Sequence, residues 1–200
     1  TASVRKQDVN RLLDRISIPK DKLTVIHGQS GVGKSSIVNA DLVPALKRTS
    51  VNTRQVLPVV QQVYTDWSAE LGKTLINELK TLKNGWFAPP SNPLPVNSVA
   101  AILQQLQTNS DRNLLTVLIF DQFEEFFFVY PESAQRRQFF EFVGECLNIF
   151  YVKVILSLRE DYLHYLLECD RLPSMKAIGN DILTKNVRYE LGNFSPADAK

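Results

Sequence analysis

The sequence predicts an α/β fold in which a mostly parallel central sheet is flanked by helices. Two apolar runs, at 114–120 and 152–158, show no alternation with polar residues, which is typical of parallel strands buried on both faces. A third strand-like run, at 23–27, leads into a glycine-rich segment, and stretches of helical periodicity separate the three runs. Strands that alternate with helices favour right-handed crossovers, which gather the carboxyl ends of the strands at one edge. A ligand is expected at that edge.

Composition limits the class of protein. The 200 residues fit one α/β domain, or one domain with a small appendage. The formal net charge of +2 gives no electrostatic case for nucleic acid or an acidic membrane. No apolar run approaches the length of a membrane span, and the N-terminus has no secretion-signal pattern. Cys146 and Cys169, the only cysteines, lie in helix-like apolar stretches, so we expect reduced, buried thiols and a cytoplasmic protein.

The remaining patterns place further elements along the chain. Residues 1–20 predict a leading helix that a proline ends. Strands are predicted at 54–64, where Pro58 indicates an edge position or a bulge, and at 186–191. The proline-rich stretch at 84–97 is predicted to be a loop. Further helical segments are predicted at 68–82, 98–106, 139–151, 162–168 and 174–183.

A glycine-rich motif lies between the first strand and the helix that follows it. Residues 28–35 read G-Q-S-G-V-G-K-S and match the Walker A pattern at every fixed position. Apolar residues recur at helical spacing over 37–46, where Pro44 is expected to kink or shorten the last turn. Loop amides at a helix N-terminus attract phosphate oxygens, so we expect a nucleoside triphosphate here, with Lys34 on its β- and γ-phosphates and the Ser35 hydroxyl on Mg²⁺. The predicted nucleotide-binding residues are Gly28, Gln29, Ser30, Gly31, Val32, Gly33, Lys34 and Ser35.

Asp121 directly follows the apolar run at 114–120, as the aspartate of a Walker B motif does. It is predicted to hold Mg²⁺, mostly through water ligands, because magnesium gives up water reluctantly. The alternative is an aspartate that caps a helix. The long separation from Lys34 leaves room for an intervening strand, so the two motif strands are not expected to be neighbours. The chain has no N-K-x-D segment that would specify guanine, which favours ATP over GTP.

Hydrolysis also needs a group that polarises the attacking water. Gln122 stands where many such ATPases have a glutamate directly after the aspartate, and its amide cannot take a proton. Glu124 and Glu125 are the available carboxylates and are predicted to be catalytic, with no choice between them; the alternative is a pair of solvated loop charges. Without the adjacent glutamate we expect slow hydrolysis.

Arg159 ends the strand predicted at 152–158 and is expected to lie level with Asp121. A guanidinium there can reach the γ-phosphate and stabilise charge in the transition state, or report the loss of that phosphate. The alternative is an ion pair with Glu160, Asp161 or the two glutamates near 124.

With these motifs in place, the chain resembles a STAND ATPase, a class of signal-transduction ATPases with numerous domains related to the NACHT and AAA+ groups. The resemblance is strongest to the bacterial novel-STAND NTPase domain and covers nearly the whole chain. It implies an AAA+-like (ASCE) P-loop NTPase fold over residues 1–200, as a piece of a larger multidomain protein. The stretches that carry it are V-I-H-G-Q-S-G-V-G-K-S-S at 25–36, V-L-I-F-D-Q-F-E-E-F-F at 117–127, V-I-L-S-L-R-E-D-Y-L at 154–163 and Y-E-L-G-N-F-S at 189–195.

The resemblance also implies roles for individual residues. Ser36 joins the phosphate-binding residues, Arg159 is the sensor arginine, and the Glu124–Glu125 pair acts in hydrolysis. Residues 4–6 fall where the family has a Gly-Arg-acidic stretch that contacts the base, although here a valine and a lysine flank the arginine. The implied function is a slow, Mg²⁺-dependent ATP switch that controls self-association and other domains of the same chain. The alternative is a nucleotide-dependent binding scaffold with negligible hydrolysis.

Overall fold

A computed structural model describes residues 2–82 and 96–192, with side chains from residue 4 onward. The loop predicted at 84–97 lies outside the described residues except for its last two positions. In the described part, six strands form one sheet in the order β2-β3-β4-β5-β1-β6. The short β2 is antiparallel to β3, and all other neighbours are parallel. The strands are β1 (Leu23–Gly28), β2 (Ser50–Val51), β3 (Arg54–Gln61), β4 (Leu114–Phe120), β5 (Val152–Arg159) and β6 (Arg188–Glu190).

Helices cover both faces of this sheet. The α-helices are α1 (Ala2–Ser17), α2 (residues 34–47), α3 (Trp67–Lys80), α4 (Val99–Asp111), α5 (Glu124–Val129) and α6 (Ser133–Leu147). Two 3₁₀ segments, Glu160–Arg171 and Pro173–Ile178, follow β5. The α/β class, the central positions of β4 and β5 and the separation of β1 from β4 by β5 agree with the sequence-based prediction.

One face of the sheet carries α1 and α2. Leu12 of α1 and Ile37 and Val38 of α2 pack in one buried cluster with Ile26 and Ile119 of the sheet. The stripe of apolar residues on α1 explains this position, because burying that stripe is the main driving force for docking an amphipathic helix. The leading helix therefore lies next to the helix that follows the glycine-rich loop.

The other face carries α3 to α6 and an aromatic cluster. The rings of Phe120 and Phe139 have centroids 5.0 Å apart, those of Phe126 and Phe139 4.6 Å, and those of Phe123 and Phe126 5.0 Å. Such pairs contribute about 1 kcal/mol each beyond the area they bury. The cluster fixes the short helix α5, which begins at Glu124, against the end of β4.

Several predicted boundaries were wrong for physical reasons. The helix predicted at 98–106 runs to Asp111, since Ser98 caps its start and Gln105 and Gln107 each bond the residue four positions on. The helix predicted at 174–183 ends at Ile178, because Gly179 turns into the left-handed region with φ 65°. The segment predicted at 162–168 is a 3₁₀ helix.

Prolines behave partly as expected. Pro58 pairs with β4 on one side, and on the other side the described chain has no strand beside it, so the predicted edge position is confirmed. Pro44 does not end its helix, which continues to Lys47. Instead the helix widens into a π-helical turn at Ile37–Leu42, just before the residue that has no N–H to donate.

The two cysteines are free and buried, as predicted, and burial raises the pKa of both thiols. Among the described residues, no helix is both long enough and apolar enough to cross a bilayer.

Candidate nucleotide-binding site

The glycine-rich loop connects β1 to α2 at the carboxyl edge of the sheet. Gly33 precedes the first helical residue with φ 94°, a conformation that residues with a Cβ rarely adopt. At the other end of the loop, a Cβ on Gly28 would lie 2.7 Å from the carbonyl oxygen of Leu191, where the chain leaves β6. Both positions therefore require glycine, and the loop packs tightly against the segment after β6.

Lys34 is buried at the base of this loop. Its Nζ donates to the carbonyl oxygens of Gly28 (3.1 Å) and Gln29 (2.9 Å), which holds the ammonium across the loop. Burial lowers the pKa of Lys34, and the nearby Glu124 carboxylate opposes that shift. The positive charge is thus aimed at the space that the loop encloses, toward the start of α5.

The structure brings Ser35 and Asp121 together, as the metal prediction requires. The Ser35 hydroxyl donates to Asp121 Oδ1 at 3.1 Å, and Asp121 is fully buried at the end of β4. Hydroxyl and carboxylate oxygens are the hard ligands that Mg²⁺ prefers, so the pair fits this metal. The first turn of α2 and the end of β4 meet here because β4 and β1 end at the same edge of the parallel sheet.

Three residues that the sequence analysis missed hold Asp121 in place. Asn39 Nδ2 and Gln62 Nε2 both donate to Oδ2, at 3.0 and 2.9 Å, and the Tyr64 hydroxyl donates to the Asp121 backbone carbonyl at 2.6 Å. Asn39 lies one helical turn after Ser35, and Gln62 and Tyr64 follow β3, the neighbour of β4. The order of the strands would have pointed to Gln62, because adjacent parallel strands end side by side.

The two candidate glutamates occupy different environments. Glu124 is half-buried, and its Oε2 accepts the backbone N–H of Arg159 at 3.3 Å, whereas Glu125 is exposed. Gln122 is also exposed, in the left-handed region with φ 50°. Only Glu124 of the three faces the ends of β5 and the Lys34 charge.

Arg159 lies at the end of β5, opposite Gly28 in the pairing with β1. The expectation that it is level with Asp121 was wrong. Phe120 pairs with Leu156, so Asp121 is level with Ser157, and Arg159 lies two residues further along β5. Its guanidinium bonds Asp161, which raises the pKa of Arg159, and lies 5.5 Å from the Tyr162 ring centroid. The side chain is 38% exposed, so the ion pair that sequence analysis held as an alternative is the arrangement observed.

The leading helix reaches the same loop. Arg5 Nη1 donates to the Ser36 hydroxyl at 3.2 Å, and a small pocket beside Gly33 is lined by Arg5, Asp8 and Leu191. This is the side of the loop where residues 4–6 were expected to contact a base.

His27, in the strand before the loop, is buried. Its Nδ1 has no hydrogen-bond partner in the part of the chain that the structure describes. Burial lowers the pKa of His27.

In this structure β1 leads through a glycine-rich loop into a helix, and β5 lies between β1 and β4, the strand that Asp121 follows. This arrangement defines a P-loop NTPase of the AAA+-like type. The Novel STAND NTPase 1 family matches residues 4–192, and the chain belongs to that family. It is a nucleotide-binding NTPase domain. A search of curated proteins found no match.

Solved structures with a similar fold come from Aeropyrum pernix. Its ORC1 protein, in complex with DNA, matches with a TM-score of 0.58 and 13% identity over 97% of this chain and 46% of its own. Its ORC2 protein, in ADPNP-ADP complexes, matches with a TM-score of 0.53 and 12% identity over 89% of this chain and 45% of its own. The present chain thus spans less than half of either neighbour, and these likenesses show the fold alone.

Proposed function

We propose that this domain is the ATP-binding, slowly hydrolysing switch of a STAND-type multidomain protein in the bacterial cytoplasm. The observation that carries the proposal is the convergence of a buried ammonium, a hydroxyl and a buried carboxylate at the carboxyl edge of the sheet. Ser35 Oγ lies 3.1 Å from Asp121 Oδ1, and Lys34 is at the base of the same loop. A structural neighbour that carries ADPNP and ADP supports a nucleotide on this fold.

The residues present fit Mg-ATP. The amides of residues 28–36 supply donors for phosphate oxygens, and Lys34 exchanges its two loop carbonyls for the β- and γ-phosphates. Ser35 and Asp121 would hold Mg²⁺, which when bound neutralises charge on the phosphate oxygens. Arg5 and Asp8 on α1 border a small pocket on the other side of Gly33, and we propose that the base binds on this side of the loop.

Glu124 is the residue that we assign to water activation. Its carboxylate can accept a proton from the attacking water, which the Gln122 amide cannot do. Its half-buried position next to the Arg159 N–H keeps it near the Lys34 charge, while Glu125 faces solvent. The departure from an adjacent glutamate supports slow turnover, which suits a switch.

Arg159 supplies the sensing step. Its guanidinium, which bonds Asp161 through Nη2, would turn toward a γ-phosphate, so that triphosphate and diphosphate would leave the end of β5 in different arrangements. We propose that this difference controls self-association and the other domains of the full-length protein.

Turnover by matched glutamine variants tests this proposal. We expect Glu124→Gln to reduce Mg-ATP turnover by about 100-fold, because general-base groups contribute about 10²–10⁴-fold. Glu125→Gln, one residue away and exposed, is expected to stay within about twofold of the unchanged protein. Phosphate release under saturating Mg-ATP is the measurement. Turnover that is negligible in the unchanged protein while ATP still binds would favour the scaffold alternative, and equal losses in both variants would remove the role of Glu124.

A further inference from the structure

A second concave surface lies away from the glycine-rich loop, between α6 and the 3₁₀ segment Glu160–Arg171. This groove, which we call the α6 groove, has a volume of about 650 Å³. Phe140, Leu167 and Leu172 provide its apolar part, and Arg137, His164 and Arg171 provide polar and cationic groups around it. Leu167 is 48% exposed, so it offers apolar surface to a ligand in the groove.

The charge around the groove is positive because its one carboxylate is already neutralised. Glu168 accepts hydrogen bonds on both oxygens from Arg136, whose side chain is buried and also donates to the carbonyls of Tyr130 and Pro131. Arg171 has no ion pair within the described residues, and Arg137 shares only an exposed i,i+4 contact with Glu141. Exposed pairs of that kind contribute little, so both arginines can accept a new anionic partner.

We propose that the α6 groove is a docking site for an acidic peptide segment that carries apolar side chains. The apolar residues of the groove would receive one or two leucine- or phenylalanine-sized side chains, and carboxylates on the same peptide would pair with Arg137 and Arg171. Charge complementarity selects this occupant: Arg171, which has no ion pair within the described residues, and Arg137, whose pair with Glu141 is exposed, lie beside an exposed leucine and fit a ligand that is both acidic and apolar. A basic or purely polar segment would leave one half of the surface unmatched.

The α6 groove lies next to the segment that follows Arg159, so peptide binding there is expected to affect the nucleotide site. One wall of the groove is a 3₁₀ helix of 12 residues, far longer than the usual three or four, and it begins directly after Arg159. A peptide that binds this wall changes the energy of the segment that positions Arg159, so peptide and nucleotide affect each other's affinity. This coupling rests on the proposed function, whereas the docking itself does not.

Phage display tests the docking. A library of random peptides of about twelve residues is selected for binding to the 200-residue protein in the absence of nucleotide. We expect the enriched sequences to combine acidic and apolar residues. Binding of the selected peptide, measured by fluorescence anisotropy, should weaken at least tenfold in Leu167→Ser and in Arg171→Glu. The control Lys73→Ser with Lys80→Ser removes two exposed positive charges from α3, outside the groove, and should leave the affinity unchanged.

Three outcomes would overturn the docking. One is enrichment of peptides that are not acidic, and another is equal affinity in the groove variants and the α3 control. The third is tight binding of an oligonucleotide through Arg137 and Arg171 with no selected peptide, which would make the groove a nucleic-acid surface. Thermal melts of each variant exclude unfolding as the cause of a loss, since both substituted side chains are exposed.

The coupling is tested by adding Mg-ATP to the peptide titration. We expect a shift of at least threefold in peptide affinity, and no shift in Lys34→Ala. If Mg-ATP binds and the peptide affinity stays constant, the coupling is wrong. If Mg-ATP does not bind at all, the proposed function and the coupling fail together, while peptide binding in the absence of nucleotide still decides the docking.

Discussion

Asp121 and Arg159 end neighbouring strands of one sheet, yet their surroundings differ sharply. Asp121 is fully buried and receives hydrogen bonds from Ser35, Asn39 and Gln62 on its carboxylate. Arg159 is 38% exposed, and within the described residues its guanidinium has one ion pair, with Asp161, two residues along its own chain. The Asp121 carboxylate is therefore held by several elements of the fold, whereas the contacts given for the Arg159 guanidinium, with Asp161 and Tyr162, are local.

This difference indicates a division of labour. A carboxylate fixed by three donors needs little rearrangement to hold a metal, which favours binding. A guanidinium on an exposed ion pair can exchange partners at a cost of about 0–1 kcal/mol, which favours a conformational response to a phosphate. Rigid binding with a movable sensor is what a switch requires.

The largest expected effect on stability comes from a substitution at Asp121. Asp121→Leu keeps a side chain of similar size but removes both carboxylate oxygens, so the hydrogen bonds from Ser35, Asn39 and Gln62 lose their acceptor. We expect the free energy of unfolding to fall by about 2 kcal/mol and the Mg²⁺ dependence of ATP binding to disappear. Urea unfolding and nucleotide titrations with and without Mg²⁺ are the measurements.

Arg159→Gln provides the matched comparison in the same urea experiment. Because its ion pair with Asp161 is exposed, we expect a change within about 1 kcal/mol. Equal losses of unfolding free energy in the two variants would show that Asp121 and Arg159 are held equally firmly. The proposed difference between the two residues would then be wrong.

A substitution at Arg159 is expected to have an intermediate effect, on the rate of ATP hydrolysis. Arg159→Gln should lower Mg-ATP hydrolysis about tenfold to 100-fold and leave the affinity for Mg-ADP unchanged, because in the proposed function the guanidinium binds only the γ-phosphate, which ADP lacks. Phosphate release and ADP titration measure the two quantities. A variant with normal turnover would mean that the pair with Asp161 is purely structural.

The smallest effect concerns Lys153, at the opposite end of β5 from Arg159. Its Nζ donates to the carbonyls of Ile18, Pro19 and Asp21, and burial lowers its pKa to about 8 from 10.5, with the charge of Lys22 adding to the shift. Between these two values the unfolded chain binds a proton that the folded chain does not, so stability rises with pH across this window. We expect a contribution of about 1 kcal/mol.

Urea unfolding at several pH values in Lys153→Met checks this sign. The rise above pH 8 should shrink but not vanish, since the pKa of Lys22 is also lowered by burial. A rise of unchanged size would assign the effect to other groups.

The sequence predicted those features that depend on burial and on the motif. Leu114–Phe120 and Val152–Arg159 are recognisable because strands covered on both faces contain few polar residues, and Asp121 follows from the end of one of them. The strand β2 was missed because two residues carry no periodicity. The 3₁₀ form of Glu160–Arg171 was missed because periods of 3.0 and 3.6 hardly separate over so few turns.

The site was harder to predict than the fold. Gln62 and Asn39 contact Asp121 only because β3, β4 and α2 meet in space, and nothing in their local sequence marks them. The choice between Glu124 and Glu125 depends on which face of α5 meets the end of β5, which the aromatic packing beneath that helix decides. Spacing alone cannot give that orientation.

Calorimetric titration of Mg-ATP tests the central claim most directly. We expect one site per chain, a loss of binding when Mg²⁺ is chelated, and an affinity at least tenfold weaker in Lys34→Ala, which loses charge-assisted contacts worth about 1.5–3 kcal/mol each. Lys80→Ala, an exposed lysine on α3, serves as the control and should bind as the unchanged protein does. Absence of binding, or equal affinity in Lys34→Ala and Lys80→Ala, would contradict the assignment of residues 28–36 as the nucleotide site.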